Sequence, residues 1–237
     1  MSGPVVGAWD EPAGGTPRGT LVVLPGRGET AASYERFGRR LSADAYKVRL
    51  VPVDLDDLDG ATDTAGKLLA DESLPSPKVL VGSDSGATLA ALLAVELPVD
   101  AVVLAGIALP SSETVGSWEA ELAARTACPV HTRVLDSDGG FERGALNTPL
   151  PWPSLELRAP GKPALVLHGT ADPVTPVADA VAPYLGSARV RLVEGGRHDV
   201  LNDASHRAVA ATVVLFLESL RLGPELPEIV KEAGDHS

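Results

Sequence analysis

Short runs of apolar, often β-branched residues alternate along this chain with longer stretches in which apolar and polar residues recur at helical spacing. The short runs predict buried strands and the longer stretches predict helices. Strands are predicted at residues 20–24, 46–53, 78–82, 101–105, 163–168 and 189–193. The last three are apolar enough throughout to predict central strands of a parallel sheet.

The helical stretches separate these predicted strands from one another. They cover residues 33–41, 62–69, 86–95 and 205–220, and Ser33 is the predicted N-cap of the first. Strands that alternate with helices are typical of a mostly parallel sheet covered by helices. The predicted fold class is therefore α/β, and we expect a single domain over residues 1–237.

The pattern breaks at residues 107–162, where Pro, Gly, Ser and charged residues dominate. This stretch is longer than an ordinary connection between two elements, and long insertions are usually functional or mobile. We expect a small lid here, with one short helix at residues 118–125. Residues 223–237 are polar and contain prolines, so we expect a loosely ordered tail.

The composition is that of an acidic globular protein, with 237 residues, 44% hydrophobic residues and a formal net charge of −12. Nucleic acids and anionic lipids are bound through clustered Lys and Arg, so the negative charge argues against both. No apolar run approaches the ~20 residues of a membrane span. We expect a small-molecule substrate as the partner, with no nucleic acid and no membrane; the oligomeric state stays open.

Residues 1–4 contain neither a basic start nor a long apolar stretch, so we expect no secretory signal and a cytoplasmic location. Cys128 is the single cysteine, which excludes an intramolecular disulfide and fits a reducing compartment. No His, Cys and carboxylate cluster has metal-ligand spacing, and no phosphate-binding glycine loop is present. The sequence therefore implies no metal and no cofactor.

The candidate chemistry lies in three loops that follow predicted strands. The first, Gly82-Ser83-Asp84-Ser85-Gly86, joins a strand to a helix and has the spacing of the nucleophile elbow G-x-S-x-G, with aspartate at its centre. The two glycines are needed because larger side chains would collide with the neighbouring strand and helix in so tight a turn. The turn pushes the side chain of Asp84 into the pocket.

The second loop, HGTADPVTP, contains Asp172, and the third, GGRHDVLND, contains His198. Nucleophile, acid and histidine in this order is the chain order of α/β-hydrolases. Over residues 18–221 the chain resembles the α/β-hydrolase superfamily. The resemblance implies an α/β-hydrolase fold in which Asp84 is the nucleophile, Asp172 orients the imidazole and His198 is the general base.

The same resemblance implies an oxyanion hole made of two backbone N–H groups, those of Arg27 and Ser85. Arg27 lies in a Pro-Gly-Arg-Gly turn after the first predicted strand, and its side chain is expected to add positive charge to the pocket mouth. Further candidate pocket residues are Gly26, Gly28, Ser83, Trp118, His131 and Trp152.

An aspartate nucleophile changes the expected substrate. Its attack on an ester gives a high-energy mixed anhydride, whereas attack on a saturated carbon gives an alkyl ester that activated water can hydrolyse. Epoxide hydrolases and haloalkane dehalogenases of the superfamily work in this way. We therefore expect a hydrolase of a small apolar or amphipathic molecule, with an epoxide or alkyl halide as candidate substrates.

The chain departs from both of these relatives. Ser85 stands where the dehalogenases have a tryptophan, and residues 107–162 contain no tyrosine to protonate an opening epoxide. Three alternatives therefore stay open. Ser83 or Ser85 can be the nucleophile of an esterase; Asp84 and His198 can serve an isomerase, lyase or cyclase; or the fold can bind a ligand without turnover. Asp84 can also simply cap the following helix, and His198 can be an exposed loop residue.

Overall fold

The computed structural model describes residues 5–231, which form one seven-stranded sheet with helices on both faces. The strands are β1 (Gly7–Trp9), β2 (Gly19–Leu24), β3 (Tyr46–Leu50), β4 (Lys78–Ser83), β5 (Ala101–Ala105), β6 (Ala164–Gly169) and β7 (Arg189–Val193). The helices are α1 (Ala31–Ala43), α2 (Leu58–Ala70), α3 (Ser85–Glu96), α4 (Trp118–Arg125), α5 (Pro129–Ser137), α6 (Val177–Val181) and α7 (His206–Leu222), with short 3-10 helices at Ala145–Asn147 and Ala182–Tyr184.

The strands lie in the order β1-β3-β2-β4-β5-β6-β7. Every neighbouring pair is parallel except β1 and β3, which run antiparallel. Parallel strands need crossover connections, and the helices supply them. The predicted mostly parallel α/β sheet is confirmed.

The sheet has a separate apolar core on each face. Successive strand residues point to opposite faces, so Leu21 packs with α1 and α7 while Val22 packs with α2 and α3. Strands buried on both faces have no polar alternation, which explains their continuous apolar runs. Each fully buried Val, Leu or Phe contributes roughly 1.5–3 kcal/mol, so these two cores hold the strand ends in fixed positions.

One strand prediction needs correction, and one strand was not predicted. β7 is an edge strand and not a central one, and Leu192 in it is 52% exposed. Its sequence alternates Arg189 and Arg191 with apolar residues, a pattern that fits a half-exposed strand. The other edge, β1, was not predicted, because three residues are too few to show a period.

The first predicted helix begins earlier than expected. Thr30 is the N-cap of α1, and its side chain accepts a hydrogen bond from the Ala32 N–H. Ser33 lies inside the helix and is buried. The predicted cap was wrong because both residues suit that position and only the path of the preceding loop selects between them.

Residues 107–162 contain two helices and not one. α4 has the predicted bounds, whereas α5 was missed. Pro129 occupies the first turn of α5, a favoured place for proline, and its buried residues His131 and Leu135 lie one turn apart. A nine-residue helix with so few apolar positions gives little periodicity to detect.

Two expectations fall partly or wholly outside the described residues. The predicted loose tail is described only over residues 223–231, and these residues contain no helix or strand. Residues 1–4, on which the absence of a secretory signal was argued, are not among those described. Within residues 5–231, no helix has the length and apolar content needed to span a bilayer.

The junction between β4 and α3 is a single residue, Asp84, with φ 51° and ψ −123°. A non-glycine residue at positive φ is strained and is retained only where the surrounding structure enforces it. The two flanking glycines make the turn possible: a Cβ on Gly82 would overlap the backbone of Gly86 and Ala87, and one on Gly86 would overlap the carbonyl oxygen of Leu24. The predicted tight elbow is therefore present.

We expect Gly86→Ala to lower the free energy of unfolding by at least about 2 kcal/mol, because the new methyl group meets backbone that cannot move aside. Gly66→Ala is the matched control. Gly66 lies inside α2, and a Cβ there would be 3.5 Å from Leu97 Cδ2, an ordinary contact distance. Because alanine suits a helix better than glycine, the change should raise the free energy of unfolding by about 0.5–1 kcal/mol. Urea unfolding followed by circular dichroism measures both, and equal stability of Gly86→Ala and wild type would contradict the steric account.

Candidate active site

Four loops meet at the carboxyl edge of the sheet, where ligands commonly bind in parallel α/β proteins. Arg27 follows β2, Asp84 follows β4, Asp172 follows β6 and His198 follows β7. The structure brings all four together: His198 Nε2 lies 3.0 Å from Asp84 Oδ1, and His198 Nδ1 lies 2.8 Å from Asp172 Oδ2. The three residues that the sequence placed in separate loops therefore form one hydrogen-bonded chain.

His198 is fully buried, which rules out the exposed-loop interpretation. Both ring nitrogens face carboxylate oxygens, and ionised carboxylates only accept hydrogen bonds. Both nitrogens must then carry a proton. Burial alone would lower the pKa of His198, but the charge of Asp172 and the hydrogen bonds that the ring donates to both carboxylates raise it to about 10. The resting imidazole is therefore positively charged.

Asp172 is fixed at both of its carboxylate oxygens. Oδ1 accepts the backbone N–H groups of Val174 and Thr175 at 2.8 and 3.3 Å. Oδ2 binds His198 and lies 3.1 Å from Nε2 of His168, a buried residue at the end of β6. Burial opposes ionisation, yet the charge of His198 and the hydrogen bonds keep the pKa of Asp172 below its ordinary value. Asp172 can therefore hold the imidazole in one orientation.

Asp84 forms a buried ion pair with Arg27. Arg27 Nη2 lies 2.7 Å from Oδ1, Nε lies 2.9 Å from Oδ2, and the Arg27 backbone N–H also donates to Oδ2 at 2.8 Å. Burial alone would raise the pKa of Asp84, but the charge of Arg27 and the hydrogen bonds from His198 and Arg27 hold it well below its usual range. The elbow carboxylate is therefore ionised and saturated with donors.

The position of Arg27 corrects one expectation. Its side chain does not stand at the pocket mouth; it is 6% exposed and lies against Asp84. Its remaining nitrogen, Nη1, donates to the carbonyl oxygens of Leu146 and Thr148 at 2.8 and 3.0 Å. The backbone N–H of Arg27, the predicted oxyanion donor, points at the carboxylate oxygen of Asp84.

The side chains around the elbow also bear on the alternatives. Asp84 makes no side-chain cap on α3, because its carboxylate turns toward Arg27 and His198; the capping interpretation is wrong. The Ser85 hydroxyl is buried and has no hydrogen-bond partner among the described residues. Ser83 is the buried last residue of β4, and His198 bonds to Asp84 and Asp172 instead of to either serine.

A cavity of about 330 Å³ lies next to the elbow, with Arg27 and Ser85 among its walls, while Asp84 itself is buried behind them and does not line it. Arg27 is the one cation among the residues that line it, and three acidic residues contribute to the rest of the wall. The lining residues are Arg27, Gly28, Val53, Asp54, Leu55, Asp56, Ser85, Glu142, Ala145 and Thr148. Negative charge at the wall favours a neutral ligand over an anion.

The remaining candidate pocket residues divide into two groups. Gly28 lines the cavity, and the N–H of Gly26 donates to Glu29 Oε2 at 2.7 Å. Trp118 packs on Phe141 with ring centroids 5.5 Å apart, and Trp152 packs against the core on the α3 side of the sheet. His131 lies near Asp199. The structure does not bring these last three candidates to the wall of the cavity.

No motif in the sequence singles out Arg125, which is fully buried at the end of α4. Its guanidinium donates to Glu121 Oε1 and to the carbonyl oxygen of Arg27 at 2.7 Å, and lies 3.4 Å from Asp199 Oδ1. Glu121 and Arg125 are spaced i,i+4, a signal of a helix ion pair, but such pairs are usually exposed. Only the fold shows that this one is buried.

The end of α4 holds the histidine loop in place. The N–H of His198 donates to the Ala124 carbonyl at 3.1 Å, and the N–H of Asp199 donates to the Arg125 carbonyl at 2.9 Å. Helix ends leave carbonyl groups without intrahelical partners, and here the histidine loop satisfies two of them. Residues 107–162 therefore contribute directly to the position of His198.

Comparison with known proteins agrees with this architecture. The family model described as TAP-like protein matches residues 144–226, a stretch that includes Asp172 and His198 but not Asp84. No curated protein sequence matches the chain. Many solved structures do match it in three dimensions.

A monoacylglycerol lipase of Paleococcus ferrophilus superposes with a TM-score of 0.66 at 16% identity, covering 90% of this chain and 98% of the lipase. A soluble variant of monoglyceride lipase from Saccharomyces cerevisiae has a TM-score of 0.69 at 14% identity, covering 90% of each chain. E-2-(acetamidomethylene)succinate hydrolase has a TM-score of 0.60 at 18% identity, covering 89% and 94%. The chain therefore has the α/β-hydrolase fold that the sequence motifs predicted.

We expect Arg27→Met to lower the free energy of unfolding by about 3–5 kcal/mol, because it leaves the buried charge of Asp84 without its main partner. The double variant Arg27→Met, Asp84→Asn should recover at least half of that loss, since no unpaired charge remains. Urea unfolding of the two single variants and the double variant gives the coupling energy.

The control for this cycle is Arg143→Met, which breaks the Arg143–Asp136 pair at the surface. Both side chains of that pair are more than half exposed, so we expect a loss below about 1 kcal/mol. A loss for Arg27→Met no larger than that for Arg143→Met would show that Asp84 is not held by its ion pair.

Proposed function

We propose that this chain is a hydrolase in which Asp84 attacks a saturated carbon of a small neutral molecule, with alkyl halides as the first substrate class and epoxides as the second. The observation that carries the proposal is the position of the carboxylate: it occupies the elbow and is hydrogen-bonded at 3.0 Å to His198, which Asp172 orients. This arrangement supplies a nucleophile and a base in contact.

The charge on His198 favours a carboxylate over a serine nucleophile. A serine must lose its proton to a neutral imidazole as it attacks, but both nitrogens of His198 face carboxylates and carry protons. Asp84 is ionised already and needs no base in the first step. The lone hydroxyl of Ser85 has no hydrogen bond to a base among the residues described.

In the first half of the proposed reaction, one oxygen of Asp84 forms a bond to the substrate carbon while the bond from that carbon to the halogen breaks. The halide leaves with the electron pair, and Asp84 becomes an alkyl ester. Arg27 is the one cation at the cavity wall, so it is placed to stabilise the departing anion. An epoxide leaves as a basic alkoxide that needs a proton, and this cavity wall supplies no tyrosine or histidine for that, so halides rank first.

In the second half, the ester no longer carries the charge that held His198 protonated at Nε2. His198 releases that proton to solvent and then takes one from a water molecule, whose oxygen adds to the ester carbonyl. The backbone N–H of Arg27, already 2.8 Å from Asp84 Oδ2, is placed to stabilise the resulting oxyanion. As the intermediate collapses, His198 gives the proton that it took from water to the departing alkoxide, which leaves as the alcohol. The regenerated carboxyl group then passes its remaining proton to His198, so Asp84 returns as a carboxylate with one oxygen from water.

Arg27 must move for this reaction to begin. All the acceptor positions of Asp84 are used by Arg27 and His198, so an attacking lone pair becomes free only when the guanidinium withdraws. The cavity beside Arg27 offers space for that withdrawal. Substrate binding and opening of the ion pair are therefore coupled in this proposal.

Because Arg27 and His198 occupy all the acceptor positions of Asp84, a second candidate function is also favoured. If Arg27 stays on Asp84 permanently, the protein binds a small molecule in the cavity without turnover. The lyase, isomerase and cyclase alternatives need Asp84 free as well, so they share the requirement for Arg27 to move.

Trapping of the covalent intermediate separates the two candidates. In His198→Gln the alkyl ester should form but not hydrolyse, so incubation with 1-bromobutane or styrene oxide should add one alkyl group per chain, located by mass spectrometry on Asp84. Asp84→Asn should show no adduct and lose turnover at least about a thousandfold. Ser85→Ala and Ser83→Ala serve as controls and should keep turnover.

Wild-type turnover in isotopically labelled water should also place label in the Asp84 carboxylate. An active enzyme without such label has a different mechanism. Hydrolysis of p-nitrophenyl esters that survives Asp84→Asn and disappears in Ser83→Ala or Ser85→Ala would establish the esterase alternative. A wild type that binds these ligands but turns over none of them, with no adduct in His198→Gln, supports the binding protein instead.

A further inference from the structure

Three side chains next to the proposed active site point buried, unpaired atoms at one another. They are Glu29 in the loop after β2, His131 in α5 and Asp199 in the loop after β7. Glu29 Oε1, His131 Nε2 and Asp199 Oδ2 all lie within 4.8 Å of one another, and each is buried without a hydrogen-bond partner in the part of the chain that is described. Buried polar atoms that lack partners are rare in native proteins and call for an explanation.

The other oxygen of each carboxylate is held by the protein. Glu29 Oε2 accepts the N–H of Gly26 at 2.7 Å and the hydroxyl of Tyr34. Asp199 Oδ1 lies 3.4 Å from the guanidinium of Arg125. Such contacts to the outer oxygen orient a carboxylate ligand and are common around metal ions. They fix the free oxygen of each residue so that it points at the common centre.

The cluster is rich in acidic groups. Glu29 and Asp199 point carboxylate oxygens at the centre, and Arg125 contacts Asp199 and the neighbouring Glu121. Carboxylates gathered in a site with little water favour a bound cation.

We propose that Glu29, His131 and Asp199 bind a divalent transition-metal cation, with Zn²⁺ as the representative ion. One imidazole and two carboxylates form a donor set that zinc accepts, at about 2.0–2.2 Å from each ligand atom. The separation of His131 Nε2 and Asp199 Oδ2, 3.5 Å, is close to the edge of a tetrahedron of that size. The fourth position is available to water.

The ion would have ligands from both of the loops that carry the proposed chemistry. Glu29 is two residues from Arg27, and Asp199 directly follows His198. His131 joins both loops to α5. The proposed role is structural, so the metal site does not depend on whether Asp84 is a nucleophile.

Metal binding is tested with the full-length protein after EDTA treatment and dialysis. Zn²⁺ should bind at one equivalent per chain, and at a hundredfold excess over Kd it should raise Tm by roughly 5–10 °C. Co²⁺ should bind at the same equivalence with visible d–d absorption typical of nitrogen and oxygen ligands in a low-coordinate site. Absence of one-equivalent binding together with an unchanged Tm would overturn the proposal.

The ligands are tested with His131→Gln and Glu29→Gln, which should each weaken Zn²⁺ binding at least about a hundredfold. His206→Gln and Cys128→Ser are matched controls, a histidine outside the cluster and the thiol three residues before His131, and both should keep wild-type affinity. Unchanged affinity in His131→Gln, or its loss in a control, contradicts the assignment. If the ligand variants do not fold, the spectrum of the wild type with Co²⁺ provides the test. A sulfur-to-cobalt charge-transfer band would identify Cys128 as a ligand and overturn the proposal, whereas the absence of that band supports it.

Discussion

The carboxylate of Asp84 is buried, and a buried charge persists only where the protein replaces the water that it has lost. Here Arg27 and His198 replace that water, and Arg27 contacts Asp84 through both its side chain and its backbone N–H. The buried groups of Arg27 need hydrogen-bond partners in turn. The guanidinium is itself satisfied by two carbonyl groups after α5, and the Arg27 carbonyl accepts from Arg125 on α4. Residues far apart in the chain are thereby fixed around one anion.

The sheet makes this arrangement possible by collecting four strand ends at one edge. β2 and β4 are neighbours, so Arg27 and Asp84 can meet directly, whereas β6 and β7 bring Asp172 and His198 from the other side. The strained backbone at Asp84 raises its side chain out of the layer of strands. Two apolar cores on the two faces stabilise the sheet enough to hold both the strain and the buried charges.

Ionic groups here form a connected network and not isolated pairs. His198 is positively charged between two carboxylates, and Arg27 neutralises Asp84. Arg125 forms ion pairs with Glu121 and Asp199. Moving one member changes the electrostatic environment of the others, as formation of an ester on Asp84 would do for His198. The unpaired atoms of Glu29, His131 and Asp199 lie at the margin of the same network. The charges that stabilise this region are therefore also the ones that the proposed reaction would use.

The order of strands and helices could be read from the sequence because apolar periodicity is a local property, and all six predicted strands lie where expected apart from their ends. The elbow at Asp84 and the loops of Asp172 and His198 were also visible, since each is a short motif directly after a strand. Tertiary structure alone decided which charges meet. Arg27 and Asp84 are 57 residues apart, and the separation of Arg27 from the carbonyl of Thr148 is 121. Spacing along the chain carries no signal for such pairs, nor for the cluster of Glu29, His131 and Asp199. They come together because parallel strands end at one edge and because each buried charge must find a partner there.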